Sequence, residues 1–224
     1  MEKIYTRQIF ARFTGNKAMK TLYKVRFIRR KLHRIAGKRL YETFGGRLRF
    51  FGIGGSKINT ATEKFLLDAR FPYSIGYGLT ETAPLIAGAV HPNTCLQSIG
   101  KVMEGISIRL GDKDPDTGVG EIQVKTPCIM EGYYKNPETD KEAFTDDGWF
   151  RTKDLAIMDN RGRIFIKGRL SNMIVGSSGE NIYPEEIESI INQHELVTES
   201  LVVQRDGKLV ALVYMQDLSQ KLRD

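Results

Sequence analysis

The 224-residue sequence predicts an α/β protein in three stretches: a parallel α/β layer, an antiparallel barrel-like or sandwich subdomain, and a small α+β region at the C-terminal end. Three observations carry this reading. Strand-like runs at Arg47 to Ile53 and Tyr73-Ser74-Ile75 flank a short helical stretch, and each stops in glycine, at Gly54-Gly55-Ser56 and at Gly76-Tyr77-Gly78. Strand, helix, strand is the order that builds a parallel layer, in which ligands gather where strands end. From Gly100 onward, short strands alternate with turn residues at the spacing of antiparallel sheets.

The first forty residues place Leu22, Val25, Ile28, Leu32 and Ile35 three or four positions apart, the stripe of an amphipathic helix, which Gly37 and Gly45-Gly46 punctuate. Ala61 to Ala69 reads as the helix between the first two strands. The next strands are expected at Ser107 to Leu110, Gly120 to Lys125, Ala156 to Met158 and Ile164 to Lys167, separated by Asp114-Pro115-Asp116-Thr117-Gly118 and Asp159-Asn160-Arg161-Gly162. A strand at Met173 to Val175 and a Gly-Ser turn then lead to a helix opened by Pro184, with Glu185 and Glu186 in the first turn where they suit the helix dipole. Leu201 to Val203 and Leu209 to Met215 read as a hairpin across Arg205-Asp206-Gly207.

Hydrophobic residues make up 41% and charged residues 27% of the chain, which suits a globular protein and excludes a disordered tail. The longest apolar runs, Pro84 to Val90 and Leu209 to Met215, have strand length and fall short of the roughly 18 residues a membrane span needs. Met1 to Tyr5 opens no apolar secretion signal, and Cys95 and Cys128 lie far apart without metal-ligand spacing, so a reducing cytoplasm is expected. The net charge of +7 is unevenly spread: residues 1–49 hold 15 of the 34 basic residues and 2 of the 27 acidic ones. Such a block suits a solvated helix face, an anionic membrane surface or nucleic acid; with no nucleic-acid motif, no nucleic-acid partner is expected.

Several catalytic patterns are missing. There is no Walker-type phosphate loop, and Gly52-Ile53-Gly54-Gly55-Ser56-Lys57 fails the dinucleotide fingerprint at its last glycine. Gly176-Ser177-Ser178-Gly179 is not a nucleophile elbow. His33, His91 and His194 are scattered and are expected on the surface or in loops. What remains is a set of polar groups at strand ends and turns: Tyr77, Thr80 and Glu81 after a glycine-flanked strand, Asp154 after Trp149-Phe150, and Arg169 after Gly168. Taken singly, they read as a core tyrosine, a helix cap, a first-turn carboxylate, a turn residue and a surface charge.

Taken in order, Ser74-Ile75-Gly76-Tyr77-Gly78-Leu79-Thr80-Glu81-Thr82-Ala83-Pro84 resembles the Tyr-Gly-x-Thr-Glu signature of the adenylate-forming acyl-CoA synthetases. The resemblance continues, in family order, through Gly120 to Val124, Glu131 to Pro137, Gly148 to Leu155 and Gly168 to Glu188. Gly45-Gly46-Arg47-Leu48-Arg49-Phe50, with the basic helix upstream, is most similar to the long-chain fatty-acid branch. The resemblance implies the rear part of the family's large domain (1–168, itself divided into 1–96 and 97–168), then a hinge and an incomplete small domain (169–224).

It also implies a chemistry. A fatty carboxylate attacks the α-phosphate of ATP, and the thiolate of CoA then displaces AMP from the acyl-adenylate. Gly54, Gly55 and Ser56 are implied at the adenine edge, with Tyr77 stacked on the base and Gly78 beside it. Thr80 is implied on the α-phosphate, Glu81 on Mg²⁺, Asp154 on both ribose hydroxyls, Arg169 on the ribose side and Gly179 toward CoA. Fatty acid, ATP and CoA are the implied substrates. The basic block separately suggests an anionic membrane, met at its inner face, as a peripheral partner, and the alternative reading is a non-catalytic nucleotide-binding or membrane-surface docking module. Two positions depart from the family pattern: Lys153 stands where glycine usually precedes the ribose aspartate, and Ser171 stands at the hinge. The upstream phosphate loop and the terminal lysine of the family have no counterpart here, so a fragment inactive by itself is expected.

Overall fold

The computed structural model describes residues 17–176, 178–194 and 196–215, which divide into two compact units. One comprises the described residues up to Ile106 with Thr126–Met130 and Asp159–Phe165; the other comprises Ser107–Lys125, Glu131–Met158 and the residues from Ile166 onward.

In the first unit the basic segment forms two helices, α1 (Lys17–Lys24) and α2 (Arg26–Thr43), broken where Val25 is extended. The stripe expected at Leu22 to Ile35 is not the buried face: Leu22, Val25 and Ile35 are 44–52% exposed, whereas His33, Gly37 and Leu40 are buried. The reason is close packing on α3 (Thr60–Ala69), because a Cβ at Gly37 would come within 2.5 Å of the Ala69 Cβ. Asn59 caps α3 by accepting from the amides of Ala61 and Thr62 at 2.9 and 3.2 Å. Leu40, Phe65, Leu66, Phe71 and Tyr73 form the core between these helices and the sheet.

That sheet has the order β1-β2-β3-β4, with β1 at Phe51–Ile53, β2 at Tyr73–Gly78, β3 at Leu85–Val90 and β4 at Lys101–Val102. β1 and β2 pair in parallel, as the strand-helix-strand reading requires, while β3 and β4 are added antiparallel. β1 is shorter than the run from Arg47, and β2 continues through its glycines to Gly78.

The second unit is built on a sheet of order β5-β6-β7-β8: Ser107–Gly111, Gly120–Lys125, Phe150–Met158 and Ile164–Arg169, of which Ile164 and Phe165 count with the first unit. β5 to β6 and β6 to β7 are antiparallel, and Val119, Leu155 and Tyr183 pack into a small core. α4 (Pro137–Ala143) lies between β6 and β7 in sequence, and β9 (Ile174–Val175) pairs with β10 (Asn181–Ile182). α5 (Pro184–Ile191) precedes a hairpin of β11 (Val197–Arg205) and β12 (Lys208–Met215). Asp206 and Gly207 both have positive φ, 50° and 70°, the conformation of a two-residue turn whose twist matches the strands.

Candidate functional site

Gly54, Gly55, Ser56, Tyr77, Gly78, Thr80 and Glu81 belong to the first unit. β1 ends at Ile53 opposite Ile75, so Gly54 follows beside Gly76: a Cβ on Gly54 would lie 3.3 Å from the Gly76 carbonyl oxygen. Gly55 has φ +79° with open space around it, leaving backbone accessible at the strand end. Tyr77 is half-buried opposite Ala87 on β3. At Gly78 the ladder shifts register, and a Cβ there would overlap the Pro84 carbonyl.

Thr80 and Glu81 sit in a short 3₁₀ turn, Thr80–Thr82, inside the tight loop that joins β2 to β3. Thr80 is exposed rather than serving as the cap of a helix, and Glu81 is half-buried. The loop is closed by the Leu79 amide donating to Pro84 O at 2.9 Å and by Thr82, which is 1% exposed. The Thr82 hydroxyl lies 2.9 and 2.8 Å from the carbonyl oxygens of Leu79 and Pro84 and accepts from the Leu79 amide at 3.3 Å. The Glu81 carbonyl accepts from the Met130 amide at 2.8 Å, which anchors the far side of the loop.

Asp154, Arg169 and Gly179 belong to the second unit, and the first two are brought together. Asp154 is not a turn residue; it lies within β7 and is only 6% exposed. β7 bulges there: Glu121 pairs with Leu155 and Gln123 with Arg151, so Ile122 alone faces Thr152, Lys153 and Asp154. Side chains serve four backbone groups of that bulge. The Thr152 hydroxyl donates to Ile122 O at 2.8 Å and accepts from the Asp154 amide at 3.1 Å. The Lys153 amide donates to Glu121 Oε1 at 3.0 Å, and Arg169 Nη1 donates to Thr152 O at 3.4 Å. Arg169 Nε stands 3.0 Å from Asp154 Oδ1.

Lys153 has φ +60°, so it takes the left-handed conformation for which a glycine is the ordinary residue. Gly168 is constrained from the other side, since a Cβ there would overlap the Glu185 carboxylate. Glu185 Oε1 accepts from Asn172 Nδ2 at 2.7 Å and from the Arg169 amide at 3.4 Å, so α5 holds the segment that contains Ser171. Ser171 lies in a 3₁₀ turn, Leu170–Asn172. Gly179 stands apart from these groups in the turn closed by Gly176 and Glu180, with φ +85°.

Among the expected loop histidines, His33 is the exception. It is 2% exposed, with Nδ1 3.1 Å from Asp68 Oδ2 and Nε2 2.6 Å from the Tyr23 hydroxyl. Burial lowers its pKa, against the pull of Asp68, so the neutral ring donates through Nδ1 and accepts from Tyr23. Glu63 is wholly buried, and desolvation pushes its carboxyl up; it accepts from Tyr73 and from the amide and side chain of Gln97 at 2.7–3.1 Å. Among the described residues no group of three His, Cys, Asp or Glu is placed to hold a metal, and no helix is long and apolar enough to cross a membrane.

The fold is that of the adenylate-forming enzymes. O-succinylbenzoate coenzyme A synthetase from Bacillus subtilis, solved with ATP and magnesium, matches 80% of this chain and 40% of its own at 27% identity and TM-score 0.67. ATP-bound MatB from Rhodopseudomonas palustris matches 84% of this chain and 40% of its own at 30% identity and TM-score 0.68. In sequence, residues 10–134 match the AMP-binding enzyme family, and the chain belongs to that family. Long-chain-fatty-acid–CoA ligase 4 of Saccharomyces cerevisiae is 38% identical over 179 residues, 77% of this chain and 26% of the relative. The 2-succinylbenzoate–CoA ligase of Bacillus licheniformis is 35% identical over 183 residues, 79% of this chain and 37% of the relative. The chain thus spans well under half the length of these relatives.

Proposed function

We propose that the chain is part of an ATP-dependent fatty-acid–CoA ligase that forms an acyl-adenylate and then an acyl-CoA, releasing pyrophosphate and AMP. The observation that carries it is Asp154: a nearly buried carboxylate on a strand bulge, beside Arg169, at the position the acyl-CoA synthetase pattern gives to ribose recognition. Similarity to a long-chain ligase at 38% identity supports the fatty-acid reading.

The roles follow from chemistry. Phosphoryl and acyl transfer here ask the protein to position groups and stabilise charge rather than to form bonds. Asp154 accepts both ribose hydroxyls, with Arg169 on the same side. Tyr77 stacks on adenine, and the backbone of Gly54, Gly55 and Ser56 meets its edge where side chains would block approach. Gly78 lets the chain turn into the loop that presents Thr80 to the α-phosphate. Glu81 is the residue that would hold Mg²⁺, a single carboxylate whose shell substrate phosphates complete, as magnesium sites on nucleotides commonly are built. When bound, that ion neutralises phosphate charge. Gly179 borders the approach of CoA. The division between large- and small-domain portions falls at 168/169, with Ser171 as the pivot.

ATP titration with and without Mg²⁺ tests the assignment of Glu81. Glu81→Gln should remove the Mg²⁺ dependence of ATP affinity while leaving AMP affinity unchanged. Equal loss for AMP and ATP would overturn it. Pyrophosphate release from ATP, Mg²⁺ and palmitate should stay at background for this chain, which holds no phosphate loop sequence; turnover would overturn the reading of it as a partial enzyme.

A second reading concerns α2. Its outward face carries Arg30, Lys31, Arg34 and Lys38 around Phe27, which is 77% exposed. Basic side chains around an exposed aromatic suit an anionic lipid surface. Salt-sensitive sedimentation with phosphatidylglycerol vesicles, lost in Phe27→Ser, supports it; indifference to lipid charge contradicts it.

A further inference from the structure

Glu121 is 2% exposed on β6, a strand whose sequence Gly-Glu-Ile-Gln-Val-Lys alternates polar with apolar and would ordinarily turn Glu121 and Gln123 to water. Both are buried. Glu121 Oε2 lies 3.0 Å from Arg151 Nη2, and Gln123 Oε1 accepts from Arg109 Nε at 2.6 Å, so the polar face is roofed by two arginines from the neighbouring strands. The other carboxylate oxygen, Oε1, accepts the Lys153 amide at 3.0 Å.

That last bond falls at the strained point of the bulge. Lys153 holds φ +60°, a conformation that disfavours a residue with a Cβ, and Asp154 follows it directly. The β6–β7 register jumps there from Glu121–Leu155 to Gln123–Arg151, so Lys153 has no paired residue of its own in the ladder.

We infer that Glu121 is a positioning residue: its buried carboxylate, held by Arg151, fixes the left-handed Lys153 peptide and so sets where Asp154 presents its oxygens. The inference rests on the ribose role proposed for Asp154, but the part concerning backbone stands separately. Where a family member carries glycine at this point, the conformation needs no such hold. With lysine there, the Glu121 bond opposes relaxation of the bulge.

The test compares wild type, Glu121→Ala, Lys153→Gly and the double variant. Without nucleotide, amide hydrogen exchange at Lys153 should speed up at least about tenfold in Glu121→Ala, while Ile122 and Val124 keep their protection. AMP affinity should fall about tenfold in Glu121→Ala and return to within about threefold of wild type in the double variant, since glycine takes φ above zero without help. Unchanged Lys153 exchange overturns the inference. So does an equal affinity loss with and without Lys153→Gly, which would mark general destabilisation. Faster exchange at Lys153 in a chain whose wild type binds no AMP would uphold the backbone role and defeat the ribose reading instead.

Discussion

Arg169 Nε and Asp154 Oδ1 are 3.0 Å apart, although the residues lie on different strands and Asp154 is almost closed to water. The guanidinium, itself half exposed, shields one face of the carboxylate and also donates to Thr152 O, so it braces both the acid and the bulge that presents it. Asp154→Ala leaves that guanidinium without its carboxylate, whereas Arg169→Ala leaves a buried acid with one neighbour fewer. Of the two, Arg169→Ala is therefore expected to lower the thermal midpoint more.

Lys153→Gly should stabilise slightly. Relief of a left-handed non-glycine residue is worth roughly 1–2 kcal/mol, and the greater freedom of unfolded glycine takes back roughly 0.5–1 kcal/mol. The Lys153–Glu142 pair at 3.9 Å is exposed and contributes little. Lys153→Val should destabilise, because a β-branched side chain tolerates positive φ least. Urea unfolding of both variants checks the order; Val above Gly in stability would contradict it.

Thr82→Val keeps the shape of a buried side chain and removes the hydroxyl that ties Leu79 to Pro84. A loss of about 1–3 kcal/mol is expected for leaving such groups without their partner. Thr80→Val, at an exposed position of the same turn, should cost under about 0.5 kcal/mol. Comparable losses would mean that the hydroxyl of Thr82 is not what closes the loop.

The lowered pKa of His33 gives acid sensitivity. Between its folded-state pKa and the ordinary 6.5, the unfolded chain binds more protons than the folded one, so stability falls as pH drops below about 6.5. Glu63 acts oppositely: its raised pKa contributes stability that is full below the ordinary 4.5 and lost as pH rises through the folded value. Between pH 7 and 5 the thermal midpoint of His33→Gln should lose less on acidification than that of the wild type. An unaltered slope in the variant would assign the effect elsewhere.

Gly168→Ala places a methyl group against the Glu185 carboxylate, which must swing aside and give up its bonds to Asn172 and the Arg169 amide, so a loss of about 0.5–1.5 kcal/mol is expected. Glu185→Ala in the same chain should recover part of that loss. Protease cleavage near Ser171 should rise in either single variant, because Glu185 ties Asn172 and the Arg169 amide to α5. Additive losses in the double variant would contradict direct contact.

How far the sequence disclosed this arrangement differs by residue. The hairpin across Arg205-Asp206-Gly207 and the helix at Ala61 to Ala69 were legible because both are local, although the Asn59 side chain that caps that helix was not singled out. The buried face of α2 was not, since Gly37 is small and His33 polar, and the choice between two faces depended on Ala69 arriving from another helix. Asp154 was visible as a candidate through the order of motifs, yet its setting in mid-strand was not, because a bulge answers to the partner strand. Thr82 and Glu121 were not singled out, and Glu185 was read only as a first-turn carboxylate: alternation assigns Glu121 to solvent, and only the arginines of adjacent strands reverse that.

The ribose role of Asp154 is most directly tested by calorimetric titration of AMP into wild type and Asp154→Ala, with the thermal midpoint of each recorded. Two charge-assisted bonds at roughly 1.5–3 kcal/mol each predict at least a tenfold weaker affinity in the folded variant. Wild-type affinity retained in a folded Asp154→Ala protein would contradict it.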